Sequence, residues 1–370
     1  MINWFVDFKK ELKEVGQEVK IGIDNVMESG RFVMGPKVAE FEKAFANYVG
    51  VKYAVGVGNG TDAISIALQA LDLSKGSGVL TTPLTATYTG LAINMAGLTP
   101  VFSDIGLDLN LNHKFFKLPK ILKSSDQIKA VLPVHLYGNP CEISAVGDFC
   151  VNNGAYLVED CAQAHGANYQ GKIVGTFGDL GCFSFYPTKN LGAYGDGGAI
   201  VTNDEDIYFK LRMIREGGQS EKYRHDILGV NSRLDEIQAA VLLVKLKFLD
   251  KWTARRKEIA KYYLDNLAGV GDIRFPKVNS VSEPVYHLFV ILTSRRDELA
   301  KLLSEKEIKT GVHYPIPLHL QKCFSYLGYK KGDFPEAERA SCEVLSIPMH
   351  PYLTDIEIEE VVWNIKGFWK

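Results

Sequence analysis

Apolar and polar positions change rhythm several times along this chain, and the changes divide it. Residues 3 to 29 carry amphipathic helical spacing, with interruptions expected near Gly16 and Gly22. Ser29-Gly30-Arg31 and Gly35-Pro36 then break the chain before a second helix over 38–48, whose apolar positions Val38, Phe41, Ala44 with Phe45, and Tyr48 share a face. From residue 53 onward, short wholly apolar runs alternate with helical stretches. Strands are expected over 53–57, 78–82, 100–102, 129–134, 156–159, 182–185 and 199–202, and helices over 61–71 and 88–96. Strands that are apolar on both faces and separated by helices indicate a mostly parallel sheet covered on both sides. The lysine-rich piece 113–129 reads as a solvated helix. A helix over 204–217 ends at Gly217-Gly218, and a polar loop covers 219–226. One long helix is expected over about 233–267, bent where charge gathers around 251–257. It leads into a smaller α/β unit with a strand over 285–292, a helix over 296–305 and a closing helix from Asp355. The expected division is 1–245 for the large domain and 246–370 for the small one.

Composition narrows the function classes. The chain has 370 residues, 46% hydrophobic and 23% charged, as soluble globular proteins do. A formal net charge of -2 gives no electrostatic reason to expect nucleic acid or an anionic membrane as partner. The six cysteines, at 141, 150, 161, 182, 323 and 342, form no C-x-x-C pair or metal-ligand spacing. They read as buried free thiols in a reducing compartment, and no metal is expected. No apolar run approaches bilayer length, and the first residues mix charge early without a secretory pattern. A soluble, cytoplasmic protein is the expectation.

Four segments hold residue types that carry chemistry. The first is Cys182 to Ala199, where an apolar strand runs through Tyr186-Pro187-Thr188 to a lone Lys189 and then to a glycine-dense loop. A lysine at such a strand end is partly desolvated; desolvation lowers its pKa and makes it a nucleophile for carbonyls. A surface lysine in a turn is the alternative. The second is Gly56-Val57-Gly58-Asn59-Gly60-Thr61-Asp62-Ala63, a strand-to-helix turn whose N–H groups and helix dipole around Thr61 and Asp62 suit a phosphate. It is not the Gly-x-Gly-x-x-Gly of dinucleotide folds, and a plain capped turn is its alternative. The third is Glu159-Asp160-Cys161-Ala162-Gln163-Ala164-His165-Gly166. Asp160 at a strand end could hold a heteroaromatic nitrogen and Gln163 an oxygen on the same ring. Helix capping for Asp160 and simple packing for His165 compete. The fourth pairs Asn231-Ser232-Arg233-Leu234-Asp235, at a helix start, with the proline-rigid His313-Tyr314-Pro315-Ile316-Pro317-Leu318-His319. One ligand meets the first three segments together: pyridoxal 5'-phosphate, with phosphate at Thr61 and Asp62, nitrogen at Asp160, hydroxyl at Gln163 and aldehyde at Lys189.

On these residues the chain resembles the DegT/DnrJ/EryC/StrS family, sugar-nucleotide aminotransferases of the aspartate-aminotransferase fold (pyridoxal-phosphate fold type I). The resemblance runs from Gly30-Arg31-Phe32-Val33-Met34-Gly35-Pro36 to Ser346-Ile347-Pro348-Met349-His350-Pro351. It is most specific in Gly60-Thr61-Asp62-Ala63, in Glu159 to Gly166, in Ser184-Phe185-Tyr186-Pro187-Thr188-Lys189-Asn190 and in Asn231 to Asp235. It implies that Lys189 bonds the cofactor aldehyde and that Ser184 joins Gly60, Thr61 and Asp62 around the phosphate. It further implies a homodimer with shared active sites, Asn231 reaching the neighbouring subunit's phosphate. Arg233, His313 and Tyr314, with Tyr186 and His319, would meet the nucleotide-linked sugar. Many relatives carry an aromatic residue over the cofactor ring where this chain has Ala86; here either Tyr88 stacks there instead or the face is left to smaller groups.

The activity so implied is transfer of an amino group from L-glutamate to carbon 3 of a dTDP-linked keto-6-deoxyhexose. A UDP-linked 3-keto sugar or amination at carbon 4 is the runner-up. Dehydratase relatives carry histidine in place of the lysine, so Lys189 argues against that chemistry. A non-catalytic regulatory role is the remaining alternative, and the intact Lys189, Asp160 and Gln163 argue against it.

Overall fold

The computed structural model describes residues 2, 6–116 and 128–370. Helix α1 (Phe8–Ser29) starts on Asp7, whose carboxylate accepts from the Lys9 and Lys10 N–H groups, and ends on Gly30 in the left-handed region. It is unbroken, against the interruptions expected at its glycines. Gly22 lies against Ala240 of a later helix, where an added Cβ would be in ordinary van der Waals contact at 3.5 Å, so packing against that helix accompanies the unbroken run through the glycine. Helix α2 (Pro36–Val49) begins with proline at its first turn. Its N-terminus is capped from far along the chain: the Glu236 carboxylate accepts from Gly35, Lys37 and Val38 N–H at 2.8–2.9 Å.

The main sheet is built in chain order from β1 (Tyr53–Val57), β2 (Gly78–Thr81), β3 (Thr99–Phe102), β4 (Ile128–Val131) and β5 (Tyr156–Asp160). Helices α3 (Gly60–Ala70), α4 (Thr87–Met95) and α5 (Ile143–Asn153) lie between these strands. After a small hairpin, β6 (Asn168–Tyr169) and β7 (Lys172–Ile173), the sheet is completed by β8 (Leu180–Ser184) and β9 (Gly198–Thr202). The order is β1-β9-β8-β5-β4-β2-β3, with β9 antiparallel to both neighbours and every other adjacent pair parallel. Both faces are apolar, with the period of two that a pleated strand imposes. Leu180 and Cys182 pack with Ile64, Leu68 and Leu211 on one side, while Phe183 packs with Phe41 and Phe45 on the other. Because β1, β5 and β8 run the same way, the ends of β5 and β8 and the turn after β1 meet at one edge, where ligands bind in open α/β sheets.

Helix α6 (Glu205–Arg215) precedes a two-stranded ribbon, β10 (Gln219–Glu221) with β11 (Arg224–His225), where a polar loop was expected. The long helix expected over 233–267 is two: α7 (Glu236–Leu246) and α8 (Leu249–Leu267). The break falls at Lys247 and Phe248, not around 251–257. There the Lys247 and Phe248 amides reach back only three residues, to Val244 and Lys245, which tightens and ends the turn. Strand β12 (Ser282–Glu283) joins the β6–β7 hairpin, and β13 (Phe289–Leu292) pairs antiparallel with β14 (Val344–Ile347). Helices α9 (Arg296–Glu305), α10 (Pro335–Glu343) and α11 (Asp355–Phe368) complete the smaller α/β unit, whose core includes Tyr263, Phe289, Leu303, Leu345 and Ile365.

Several elements differ from the sequence reading. Of the expected helix over 113–129, residues 117–127 lie outside the described residues. The rest is one 3-10 turn, His113–Phe115, and the start of β4. Helices α5 and α10, strand β14 and the hairpin strands were not expected. Cys323 and Cys342 are exposed, unlike the other four cysteines. No helix among the described residues is long and apolar enough to cross a membrane.

Candidate active site

The start of α3 is the first wall of the site. Asn59 caps it: Oδ1 accepts from Asp62 N–H at 2.8 Å, and the Asn59 carbonyl accepts from Ala63 N–H. Gly60 and Thr61, at the first helical positions, keep N–H groups without a partner among the described residues, as helix geometry requires. Ser184, at the end of β8, stands directly against this turn. A Cβ at Gly60 would come within 2.6 Å of Ser184 Cβ, so only glycine permits the approach. The Asp62 carboxylate is turned away from that face; it takes hydrogen bonds from Asn59 Nδ2 (3.0 Å) and Ser232 Oγ (2.6 Å).

The second wall is the end of β5. The Asp160 carboxylate is buried, accepting from the Thr89 hydroxyl at 2.9 Å and from Ala162 N–H at 3.1 Å. Burial raises its pKa; those two donors and the Lys189 charge pull the other way. Three residues on, Gln163 is oriented without ambiguity. Its Oε1 accepts from the Tyr137 N–H at 2.7 Å, so Nε2 carries the hydrogens, one of them directed at Tyr314 Oη at 3.0 Å. Tyr137 also donates from its hydroxyl to the His313 carbonyl, and His313 Nδ1 lies 2.8 Å from Ser346 Oγ. The Gly311–Tyr314 segment of the smaller unit is thereby bound to the β5 edge within one chain.

Lys189 lies between the walls. The strand β8 leads into Phe185, whose N–H bonds Gly197, and into a turn closed by Lys189 N–H on the Tyr186 carbonyl at 2.8 Å. No hydrogen bond or ion pair of Lys189 Nζ with a described residue is found. Burial brings the amine down to about 8, partly opposed by Asp160. Three histidines feel its charge. Burial first and Lys189 second push His165 down to about 3 and His313 to about 4, and His287 well below the ordinary histidine range. His165 is packed between Phe183 and Phe185, ring centroids at 5.6 and 5.8 Å, which is the packing role weighed for it.

The structure thus brings Gly60, Thr61, Ser184, Asp160, Gln163, Lys189, His313 and Tyr314 together. Other expected residues stand apart. Asn231 and Arg233 are exposed and point away from the chain that carries them, on either side of buried Ser232. Tyr186 is 53% exposed at the rim. Tyr88 is 65% exposed on α4; its neighbour Thr89 is the α4 residue that reaches Asp160. His319 does not join the group. It is buried, its Nε2 lies 3.0 Å from Glu338 and its ring packs on Phe334, so a sugar-side role does not fit its position. Thr89, Tyr137 and Ser232 were not anticipated. Thr89 follows a residue that was singled out, but the functional link of Tyr137 is through its backbone N–H, which leaves no mark in sequence.

One His, Cys and Glu group gathers among the described residues: His135, Glu159 and Cys161. Its Glu159 oxygens already accept from the Gly175, Phe177 and Gly178 N–H groups and lie 3.0 Å from His135 Nε2. His135 Nδ1 in turn accepts from Cys141 N–H at 3.2 Å, so Nε2 is the protonated nitrogen. These lone pairs are spent on holding the β5 edge to the loop at Gly175.

Comparison with known proteins gives a consistent picture. The model of the DegT/DnrJ/EryC1/StrS aminotransferase family matches residues 13–366. A protein of Geobacillus stearothermophilus named pleiotropic regulatory protein is 43% identical, over 99% of this chain and 98% of its own. The dTDP-3-amino-3,4,6-trideoxy-alpha-D-glucose transaminase of Streptomyces venezuelae is 41% identical, over 94% of this chain and 91% of its own. The crystal structure of S. venezuelae DesV in complex with a ketimine intermediate superposes with a TM-score of 0.95. It is 39% identical and is covered over 98% of its chain, with 100% of this one.

Proposed function

The chain belongs to the DegT/DnrJ/EryC1/StrS aminotransferase family, whose cofactor is pyridoxal 5'-phosphate. On that footing we propose that it moves an amino group from L-glutamate to carbon 3 of a dTDP-linked keto-6-deoxyhexose. The observation that carries this reading is Lys189: an amine brought down to about 8, whose Nζ makes no hydrogen bond or ion pair with a described residue, placed between a carboxylate at one strand end and N–H groups at a helix start that find no partner among the described residues.

The residues present fit the cofactor. Gly60 and Thr61 offer two unpaired N–H groups at the positive end of α3, beside the Ser184 hydroxyl, as a phosphate requires. Asp160 retains capacity to accept from a ring N–H beyond its bonds to Thr89 and Ala162. Gln163 Nε2 has a second hydrogen for a ring oxygen. When bound, pyridoxal phosphate supplies an aldehyde that condenses with amines and a protonated ring that draws electrons from the adjacent carbon.

The protein's own part follows from these positions. As a neutral amine, Lys189 Nζ takes the proton from the donor's Cα; as the ammonium it gives a proton back. In the return half-reaction it delivers one to the sugar carbon that receives nitrogen. Asp160, at the end of β5, would accept from the ring N–H and so hold a proton on the ring nitrogen. His313 and His165, held neutral, add no positive charge that would compete with protonation of Lys189. Tyr314 accepts from Gln163, so its own hydroxyl hydrogen is available to an oxygen of the substrate. In a homodimer the outward-facing Asn231 and Arg233 would serve the neighbouring subunit's site.

The runner-up substrate is a UDP-linked 3-keto sugar or a 4-keto sugar, since enzymes for these share most of the same motifs. A panel of dTDP- and UDP-linked 3-keto and 4-keto sugars, added to protein first converted by L-glutamate, separates the readings. Restoration of the visible cofactor band by the dTDP-linked 3-keto sugar is the expected result; restoration by a UDP-linked or 4-keto sugar instead would overturn this choice.

A further inference from the structure

Away from the reacting groups, α7 carries a lysine in the interior. Lys245 on α7 is fully inaccessible, yet it is a charged group, which burial penalises unless it is paired and hydrogen-bonded. All three of its interactions are accounted for. Nζ donates to the Gly192 carbonyl at 2.7 Å, pairs with the Glu11 carboxylate of α1 at 2.7 Å, and stands 4.3 Å from the centre of the Tyr194 ring. Tyr194 closes the group by donating from its hydroxyl to Glu11 at 3.0 Å. Gln238, two turns earlier on α7, accepts from the Tyr194 N–H at 2.8 Å.

Gly192 and Tyr194 belong to the loop that follows Lys189. Gly192 is packed on the turn before that lysine: a Cβ there would fall 2.3 Å from the Pro187 carbonyl oxygen and 3.0 Å from that of Tyr186. The Tyr186 carbonyl is the one that closes the turn onto Lys189 N–H. Ala193 N–H returns to the Phe185 carbonyl at 2.8 Å, which locks the loop to the end of β8. The carbonyl held by Lys245 is thus one packing layer from the backbone that aims Lys189. We propose that Lys245 is a positioning residue: held by Glu11 and Tyr194, it fixes the Gly192 carbonyl and so keeps Lys189 in its water-poor seat between Asp160 and the start of α3.

This role is separable from stability. Replacing Lys245 alone strands the Glu11 carboxylate in the interior, whereas replacing a buried pair by apolar side chains of similar size is often neutral or stabilising. The double variant Glu11→Leu/Lys245→Met therefore keeps the fold but frees the Gly192 carbonyl. Lys189 faces Asp160 from β5 and the neutral His165, His287 and His313 from the surrounding elements, and none of these is altered. Loosening the loop admits water, which moves the amine back towards an ordinary lysine. The neutral amine is the nucleophile, so capture of the cofactor rises with pH through the amine's pKa.

The inference rests on the reading of Lys189 as the cofactor lysine, and the test keeps the two apart. Full-length wild-type and double-variant proteins, stripped of cofactor, are mixed with pyridoxal phosphate between about pH 6.5 and 10, and growth of the visible band is followed. Thermal unfolding is recorded alongside. For wild type the rate should climb with a midpoint near 8, the value burial gives Lys189. For the double variant the midpoint should move up by about one unit and the rate at pH 7.5 fall about tenfold, while unfolding stays a single cooperative transition, lowered by a few degrees at most for the Gly192 carbonyl and Tyr194 hydroxyl left without partners. Wild-type rates and midpoint in the double variant would overturn the positioning role while leaving the cofactor reading intact. No visible band in wild type at any pH would overturn the cofactor reading, and this inference with it.

Discussion

At the scale of single residues, the site is organised by opposing electrostatic demands. Burial pushes Asp160 towards its neutral acid and Lys189 towards its neutral amine, while each favours the other's charged form. An amine brought down to about 8 changes protonation at little cost near neutral pH, which suits a group that takes and returns protons. Asp160→Asn removes the anion and keeps one oxygen: Oδ1 can still accept from Ala162 N–H, while the new amide NH2 takes the place of Oδ2 and can donate to the Thr89 hydroxyl, which rotates to accept. The variant is expected to hold cofactor, yet its reaction with L-glutamate in single-turnover spectroscopy should slow by about 10²–10³-fold. A normal rate would show that the ring nitrogen needs no carboxylate here. The motifs drew attention to Asp160 as the last residue of a buried strand, to Gln163 three residues beyond it, and to Lys189 between a buried strand and a glycine-dense loop. His319 misled because a histidine after Pro-Ile-Pro looks available, whereas the fold turns it inward onto Glu338 and Phe334.

At the scale of elements, what the sequence revealed depended on whether local pattern or distant packing decided the outcome. The buried strands were readable because their apolar runs serve two covered faces. The continuity of α1 through Gly22 was not, since it comes with packing of the helix against Ala240, far along the chain. The break after Leu246 was hidden as well: no proline or glycine marks it, and it rests on hydrogen bonds that shorten to three residues. Helix α10 and strand β14 are short elements whose burial comes from the smaller unit's own core and from the face it shares with Phe102 and Leu84. The cap of α2 is the clearest long-range dependence. Glu236 is nearly inaccessible and accepts three backbone N–H groups at that helix start. Glu236→Ala should lower unfolding free energy in urea by on the order of 3 kcal/mol, through donors left buried and unpaired. A change below about 0.5 kcal/mol would mean that water replaces the carboxylate at no cost.

At the scale of the whole molecule, the account joins three remote regions at one sheet edge. Glu11 in the first helix and Lys245 in α7 hold the loop behind Lys189, and the segment at His313 and Tyr314 closes over Gln163. Asn231 and Arg233 are exposed beside the buried Ser232, so in the proposed homodimer they would be placed for the neighbouring subunit's site. If sites are shared in that way, mixing the Lys189→Ala and Asn231→Ala variants after exchange of subunits should restore activity to roughly a quarter of wild type, since half the dimers then carry one intact site. Mixtures no more active than their parts would argue for self-contained sites. The central claim, that Lys189 holds pyridoxal phosphate for amino transfer, is tested most directly by the absorption spectrum of the purified protein during titration with L-glutamate. The account predicts a band at about 410–430 nm that gives way to one near ~330 nm as the amino group is taken up. No visible band, even after pyridoxal phosphate is added, would contradict it, and would favour a non-catalytic regulatory role instead.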